Sequence, residues 1–303
     1  MWIKEPGKVT ARIELIGSWE NSMYLVKGED IMIIGGGMSF IIPELEKQLN
    51  QLEIDPERVK YQLVLHSHFD HCAAVPFCKD RFPNIEILAS PISKKILSKQ
   101  KIIDLIESLN NEAVELMGLN KEYGSAKFKI EAIPIDRVVK EDDVIHLGDG
   151  VTVRIIETPG HSKCSIAAYV ESEKALFPSD SFPIPVGESP KQLLPMANDN
   201  FPQYLESLKR ISTLDVEICC LCHRGALTGG EAKEILKEGL KAAESYYKLI
   251  IDKYKELGGL ENSVPFFAED ITNKLNLGFI KVDLMKSVAQ RMIESVIEAE
   301  GLR

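Results

Sequence analysis

Long apolar runs, clustered basic residues and low-complexity tracts are all missing from this chain. No run approaches the roughly 18 apolar residues that cross a bilayer. The opening MWIKEPGKVTARIEL has no continuous apolar stretch of the kind a signal peptide carries. Most lysines alternate with acidic residues, as in KAAESYYKLIIDKYKE, and the formal net charge is −10. Nucleic-acid binding requires a dense set of Lys and Arg to displace condensed counterions. The expected partner is therefore a small-molecule substrate, with no nucleic acid and no membrane. Disulfide staples are not needed either, because 303 residues at 45% hydrophobic content can bury a full core. The six cysteines sit mostly in apolar surroundings, which reads as reduced, buried thiols in a cytoplasmic chain.

What is present is a chain of two textures. RIELI (12–16), MYLV (23–26), IMII (31–34), YQLVL (61–65), IEILA (85–89), VTVRIIE (151–157), SIAAYV (165–170), ALF (175–177) and VEICCL (216–221) are short, β-branched or apolar runs that read as strands. IIPELEKQLNQL (41–52) has helical spacing, and the small residues and Pro76 of CAAVPF suit the first turn of a helix. Residues 91–123 carry apolar positions three and four apart and read as one or two amphipathic helices. Residues 230–257 and 281–300 do the same, joined by the turn signals GGLENSVPFF and NLG. The expected organisation is an α/β domain over 1–229 with a helical insertion at 91–123, followed by a helical cap over 230–303.

The informative segment is His66-Ser67-His68-Phe69-Asp70-His71, directly after YQLVL. A chance HxHxDH would occur about once in ten thousand chains of this composition. Residues two apart in an extended chain point the same way, so His66 and His68 can address one cation. Asp70 and His71 are adjacent, and the chain must turn to bring both inward. Two pockets side by side satisfy this spacing better than one, although two His and a carboxylate also suit a single mononuclear site. Three later residues each sit just past a strand: His161 in TPGHS, Asp180 after ALFPS, and His223 after VEICCLC. Strand ends of that kind converge at one edge of a sheet sandwich.

In this order the motifs resemble the metallo-β-lactamase superfamily over roughly residues 10–230. That resemblance implies an αββα sandwich with its metals at one edge. It implies that His66, His68 and His161 hold one divalent metal, that Asp70, His71 and His223 hold a second, and that Asp180 bridges both. A metal-bridging hydroxide would attack an ester or thioester carbonyl, with Asp70 as the catalytic residue that receives or relays the proton. Zinc is the default metal, and iron or manganese suits the same donors. Having Asp at 180 resembles the glyoxalase II-type hydrolases. HCAAVPFCKDRFPNIEILAS resembles the matching stretch of the quinolone-signal response protein group, also thioesterases.

The chain departs from the family pattern at Gly35-Gly36-Gly37, where an Asp is usual. It departs again at Ser179, commonly Gly, and at Arg224, which could place a guanidinium at the mouth of the site. His146 is expected on a turn. Cys72 and the cysteines of CCLC (219–222) are expected to pack rather than bind. The helices at 91–123 and 281–300 are expected to wall a substrate pocket suited to an acyl chain or aromatic ring, or to form a homodimer. The alternatives are a lactonase or phosphodiesterase on the same metal pair, or a metal-bearing regulatory binding protein.

Overall fold

In the computed structural model, which describes residues 1–119 and 129–302, two seven-stranded sheets lie face to face. One runs in the order β2 (Gly7–Lys8), β3 (Ile13–Gly17), β4 (Ser22–Lys27), β5 (Ile31–Ile34), β6 (Val59–Val64), β7 (Glu86–Ala89) and β8 (Arg137–Val138). The other runs β1 (Trp2–Ile3), β16 (Ala226–Thr228), β15 (Ile218–Cys220), β12 (Ala175–Phe177), β11 (Ile166–Val170), β10 (Val151–Glu157) and β9 (Val144–Gly148). A short hairpin, β13 (Ile184–Pro185) with β14 (Leu193–Leu194), stands apart.

The strands read as nearly continuous apolar runs because both of their faces are covered. Along β4 and β5, Tyr24, Val26, Met32 and Ile34 point between the sheets and meet Val153, Ile155 and Phe177 of the other sheet. Their neighbours Met23, Leu25, Ile31 and Ile33 point outward into a second apolar cluster shared with the helices. The parallel pairs β5–β6, β6–β7 and β7–β8 need crossovers. These are supplied by α1 (Ile42–Gln51), α2 (Val75–Arg81), and the pair α3 (Pro91–Leu97) and α4 (Gln100–Leu116). The 91–123 helical reading thus resolves into two helices, and its residues 120–123 lie outside the described residues.

Behind the second sheet lie α5 (Phe201–Ile211) and α6 (Gly230–Glu256), followed by α7 (Leu260–Leu275) and α8 (Val282–Ala299). The result is an αββα sandwich with C-terminal helices. Among the described residues no helix is long and apolar enough to cross a membrane.

Three expectations need correction. GGLENSVPFF is a turn only at Gly258 and Gly259, and from Leu260 it is helix with Pro265 inside it. Apolar contacts of Phe267, Ala268 and Ile271 offset the backbone hydrogen bond that the proline forfeits. His146 lies on β9, opposite Thr152, rather than on a turn. The helix α5 was not anticipated. Its signals were there in the Asn200 cap, whose side chain accepts from the Gln203 amide, and in Phe201, Tyr204, Leu208 and Ile211 at helical spacing.

One buried side chain docks the insertion onto the body. Asn110 of α4 is fully buried, and its Oδ1 accepts from the amide and hydroxyl of Ser39 while its Nδ2 donates to the carbonyls of Phe69 and Ile106. Asn110→Ala strands the Ser39 amide and the Phe69 carbonyl, at a cost of about 1–3 kcal/mol. Urea denaturation is expected to show that loss, with an unchanged slope if only stability is affected.

Candidate metal centre

Each element that approaches one edge of the sandwich ends there and hands over to a functional side chain. β6 stops at Val64, and the chain then leaves the sheet to carry His66 and His68 on a loop. It turns between them and His71, whose amide donates to the His68 carbonyl at 3.0 Å. The β10–β11 connection carries His161, a single 3₁₀ turn over Ser179–Ser181 carries Asp180, and the β15–β16 connection carries His223.

The structure brings all seven predicted residues together, six of them buried and His68 half-buried. The ligand atoms of His66, His68 and His161 form one compact group that could hold a metal ion, and those of His71, Asp180, Cys222 and His223 form another. Asp180 stands between the groups. Its Oδ2 is 3.1 Å from His71 Nε2, 3.3 Å from His161 Nε2 and 3.5 Å from His66 Nε2. Asp70 Oδ2 is 3.3 Å from His71 Nε2 and 3.7 Å from His223 Nε2.

The outer nitrogens of these rings are tied to the scaffold, which sets the face each ring offers inward. His161 Nδ1 donates to the Met196 carbonyl and His223 Nδ1 to the Glu20 carbonyl, leaving both Nε2 lone pairs facing in. His66 Nδ1 is 2.9 Å from Ser179 Oγ. His68 turns its Nδ1 inward instead, 2.9 Å from His161 Nε2. The Nε2 atoms of His66 and His71 are buried without a hydrogen bond of sound geometry. Buried nitrogens left bare cost free energy unless something occupies the space between them. A cation there satisfies them, so the donor set fits a pair of metal ions.

Electrostatics in the cluster divide the same residues. Burial, then the neighbouring imidazoles, push His66 well down, and burial with His161 takes His68 to about 3, so both are neutral. Burial alone would raise Asp70 and Asp180, yet His71 beside them holds Asp70 down at about 2 and Asp180 well below the carboxylate range. Burial also opposes a charge on His71, but the two carboxylates overcome it and lift that imidazole to about 10.

The surrounding loops are fastened by β4 and the turn that precedes it. The Tyr24 hydroxyl, between the sheets, lies 2.7 Å from the Leu221 carbonyl and 2.8 Å from that of Gly225, clasping the His223 loop. Asn21 Nδ2 donates to the Asp70 carbonyl, and its Oδ1 accepts from the Met38 amide. The three glycines at 35–37 have a steric reason: a Cβ at Gly36 would lie 2.3 Å from the His71 carbonyl oxygen. No side chain of any kind fits there.

Ser179 sits at φ +57°, the left-handed region that favours glycine, and its hydroxyl meets His66 in return. Arg224 does not reach the mouth of the site. It donates to the Leu275 carbonyl and stacks over Trp19. The packing reading of CCLC holds for Cys219 and Cys220, which join the outer and inner apolar clusters. It does not hold for Cys222. β15 ends at Cys220, so strand alternation no longer governs Cys222, and its thiol donates to Asp180 Oδ1 at 2.8 Å. Its place immediately before His223 was the available signal.

With this geometry in place, the comparisons with known proteins are direct. The Metallo-beta-lactamase superfamily matches residues 18–223, about two-thirds of the chain. The chain belongs to the metallo-β-lactamase superfamily. A metallo-β-lactamase fold-containing protein of Sulfurisphaera tokodaii is 27% identical over 191 residues, 62% of this chain and 69% of that protein. A hydroxyacylglutathione hydrolase of Rhodopseudomonas palustris is 32% identical over 93 residues, 30% of this chain and 33% of the hydrolase. Among solved structures, a metallo-β-lactamase family protein of Thermus thermophilus superposes with a TM-score of 0.64, covering 97% of this chain and 95% of its own at 17% identity. At that identity the likeness establishes the fold. Members of this superfamily are mostly metal-dependent hydrolases that bind divalent cations.

Gly160, next to His161, is where the site depends on a close backbone approach. It has φ +130°, and a Cβ would fall 2.2 Å from the Tyr204 amide nitrogen at the start of α5. Its carbonyl also accepts from the amides of Asp199 and Asn200. Gly160→Ala is expected to cost about 3 kcal/mol or more, combining overpacking with a strained φ. A depressed thermal midpoint checks this.

Proposed function

We propose that this protein is a dinuclear metal-dependent hydrolase acting on an ester or thioester of a small molecule. One observation carries the reading: two groups of inward-facing donors, with Asp180 between them, open through His68, Asp70, His161, Asp180 and His223 onto a cavity of about 460 Å³. His66, His68 and His161 would hold one ion, and Asp70, His71 and His223 the other, with Asp180 shared. Bound there, two divalent cations supply an activated water near neutral pH and polarise a carbonyl.

The chain's own residues do the rest. Asp70 lines the cavity as a carboxylate, the group placed to receive the proton released on attack and pass it to the leaving group. Cys222 holds Oδ1 of Asp180 by hydrogen bonding; that oxygen lies 3.5 Å from His223 Nε2, while Oδ2 faces His71 and His161. Ser179 and the carbonyls of Met196 and Glu20 fix the rings before any substrate arrives. Imidazole and carboxylate donors accept zinc, iron or manganese. An Asp at 180 and the partial likeness to a hydroxyacylglutathione hydrolase favour thioesters over β-lactams.

Protein purified without chelators is expected to carry two equivalents of divalent metal by elemental analysis. It is expected to turn over members of an acyl-thioester and aryl-ester panel in preference to lactones and bis-nitrophenyl phosphate. Asp70→Asn is expected to lower kcat about 10²- to 10⁴-fold. Metal-replete protein that cleaves nothing in the panel would overturn the proposal. Ser179→Ala is expected to weaken metal affinity about 10- to 100-fold in a chelator competition, since His66 loses its orienting partner.

A further inference from the structure

The cavity over the metal centre has apolar walls and a single unpaired cation where it opens. α4 presents Ile102, Leu105, Ile106 and Leu109 to it, a stripe at the i, i+3, i+4, i+7 spacing of one helix face. Leu105 remains 51% exposed, an apolar surface that packing among the described residues does not cover. On the opposite wall α8 presents Leu284, Val288 and Arg291, again at i, i+4 and i+7. The apolar stripe of α8 therefore ends in a guanidinium.

Arg291 is exposed and makes no ion pair or hydrogen bond with any described residue. Of the two Lys and Arg side chains that line the cavity, Lys163 lies 3.9 Å from Asp199, which leaves Arg291 as the one without a carboxylate partner among the described residues. In a chain of net charge −10, an anionic ligand approaches against the overall field, and an unpaired cation at the cavity edge offers it a favourable contact there. The turn of α8 bearing Arg291 is held in place, since Ser295 Oγ, one turn on, accepts from the Phe201 amide.

We infer that the ligand is an amphiphilic anion: an apolar chain or ring lies between α4 and α8 while its anionic group meets Arg291. This rests on the hydrolase reading for the carbonyl that would sit over the metals, and it adds the substrate class. The guanidinium expected from Arg224, on the β15–β16 connection, is thus supplied by α8 instead. The cavity volume falls within the range that encloses a small organic ligand.

The test is calorimetric titration of the full-length protein, metal-loaded and again after chelation, with n-alkyl carboxylates of four to ten carbons, the matching alkyl phosphates, and the matching alcohols. The chelated protein isolates Arg291 from any direct capture of the anion by metal. Affinity is expected to rise by up to about fourfold per added methylene until the cavity is full. One anionic series is expected to bind more tightly than the alcohols, and whichever it is names the head group as carboxylate or phosphate. Arg291→Gln, a surface change that leaves folding intact, is expected to erase that advantage, about five- to tenfold, without moving alcohol binding. Leu105→Glu is expected to weaken the anions more than the alcohols.

Equal affinity for anions and alcohols in the wild type, no dependence on chain length, or an ineffective Arg291→Gln would each overturn the inference. Turnover of short neutral esters with no binding of the long anions would sink this inference and leave the hydrolase proposal standing. Tight, Arg291-dependent binding with no turnover of any ester would do the reverse.

Discussion

Two carboxylates and five imidazoles share one nearly dry pocket, and the rest of the molecule is arranged around keeping them there. A lone carboxylate in such surroundings would take up a proton rather than stay charged. Asp70 and Asp180 stay ionised because His71 lies 3.3 and 3.1 Å from their Oδ2 atoms and is itself held charged by them. His66 and His68, whose surroundings are mostly other imidazoles, go the opposite way and keep their lone pairs free. Inward-facing donor atoms gather on the two sides of Asp180, which is why the cluster suits two cations rather than one.

Such a cluster survives only if the backbone cannot relax around it. The fastenings come from distant parts of the chain: Tyr24 and Asn21 from the first sheet, Asn110 from the helical insertion, and Met196 and Glu20 from connecting loops. Most of these contacts are to backbone carbonyls, so they define loop paths whatever the loop side chains are. Gly36 and Gly160 complement them by letting backbone come so close that a methyl group would not fit. Rigidity at the site is thus a property of the whole sandwich.

Above this polar floor the walls change character. Phe279, in the link between α7 and α8, lies against Phe69 of the metal-site loop and Phe40 ahead of α1. Lys281 pairs with Glu112 of α4, which joins the tail helices to the insertion across the cavity. The two helical additions therefore wall one space whose helical faces are apolar, with the donors below and Lys163, Asn198, Asp199 and Arg291 also lining it. The chemistry would reside in the shared fold, and selectivity in these additions.

Much of this could be read from the sequence. HSHFDH, TPGHS and the strand-end Asp180 and His223 identify the donors because ligand chemistry restricts residue type and close spacing, both of which are local. The longer central strands and the amphipathic helices over 41–52, 91–116, 230–256 and 282–299 were legible for the same reason, through apolar runs and periods of three to four residues, whereas α5 and the short edge strands were not. Cys222 was misread because its direction depends on where β15 ends, and pairing with neighbouring strands decides that. GGLENSVPFF looked like a turn because its glycines and proline outweigh its local helix signals, and burial of Phe267 and Ile271 against other helices reverses the balance. The placing of Arg224 away from the cavity and of Arg291 at its edge followed from the packing of helices far apart in the chain. Residue type and short-range period therefore determined which groups could hold a metal ion. Only long-range packing decided which way they face and what else shares their space.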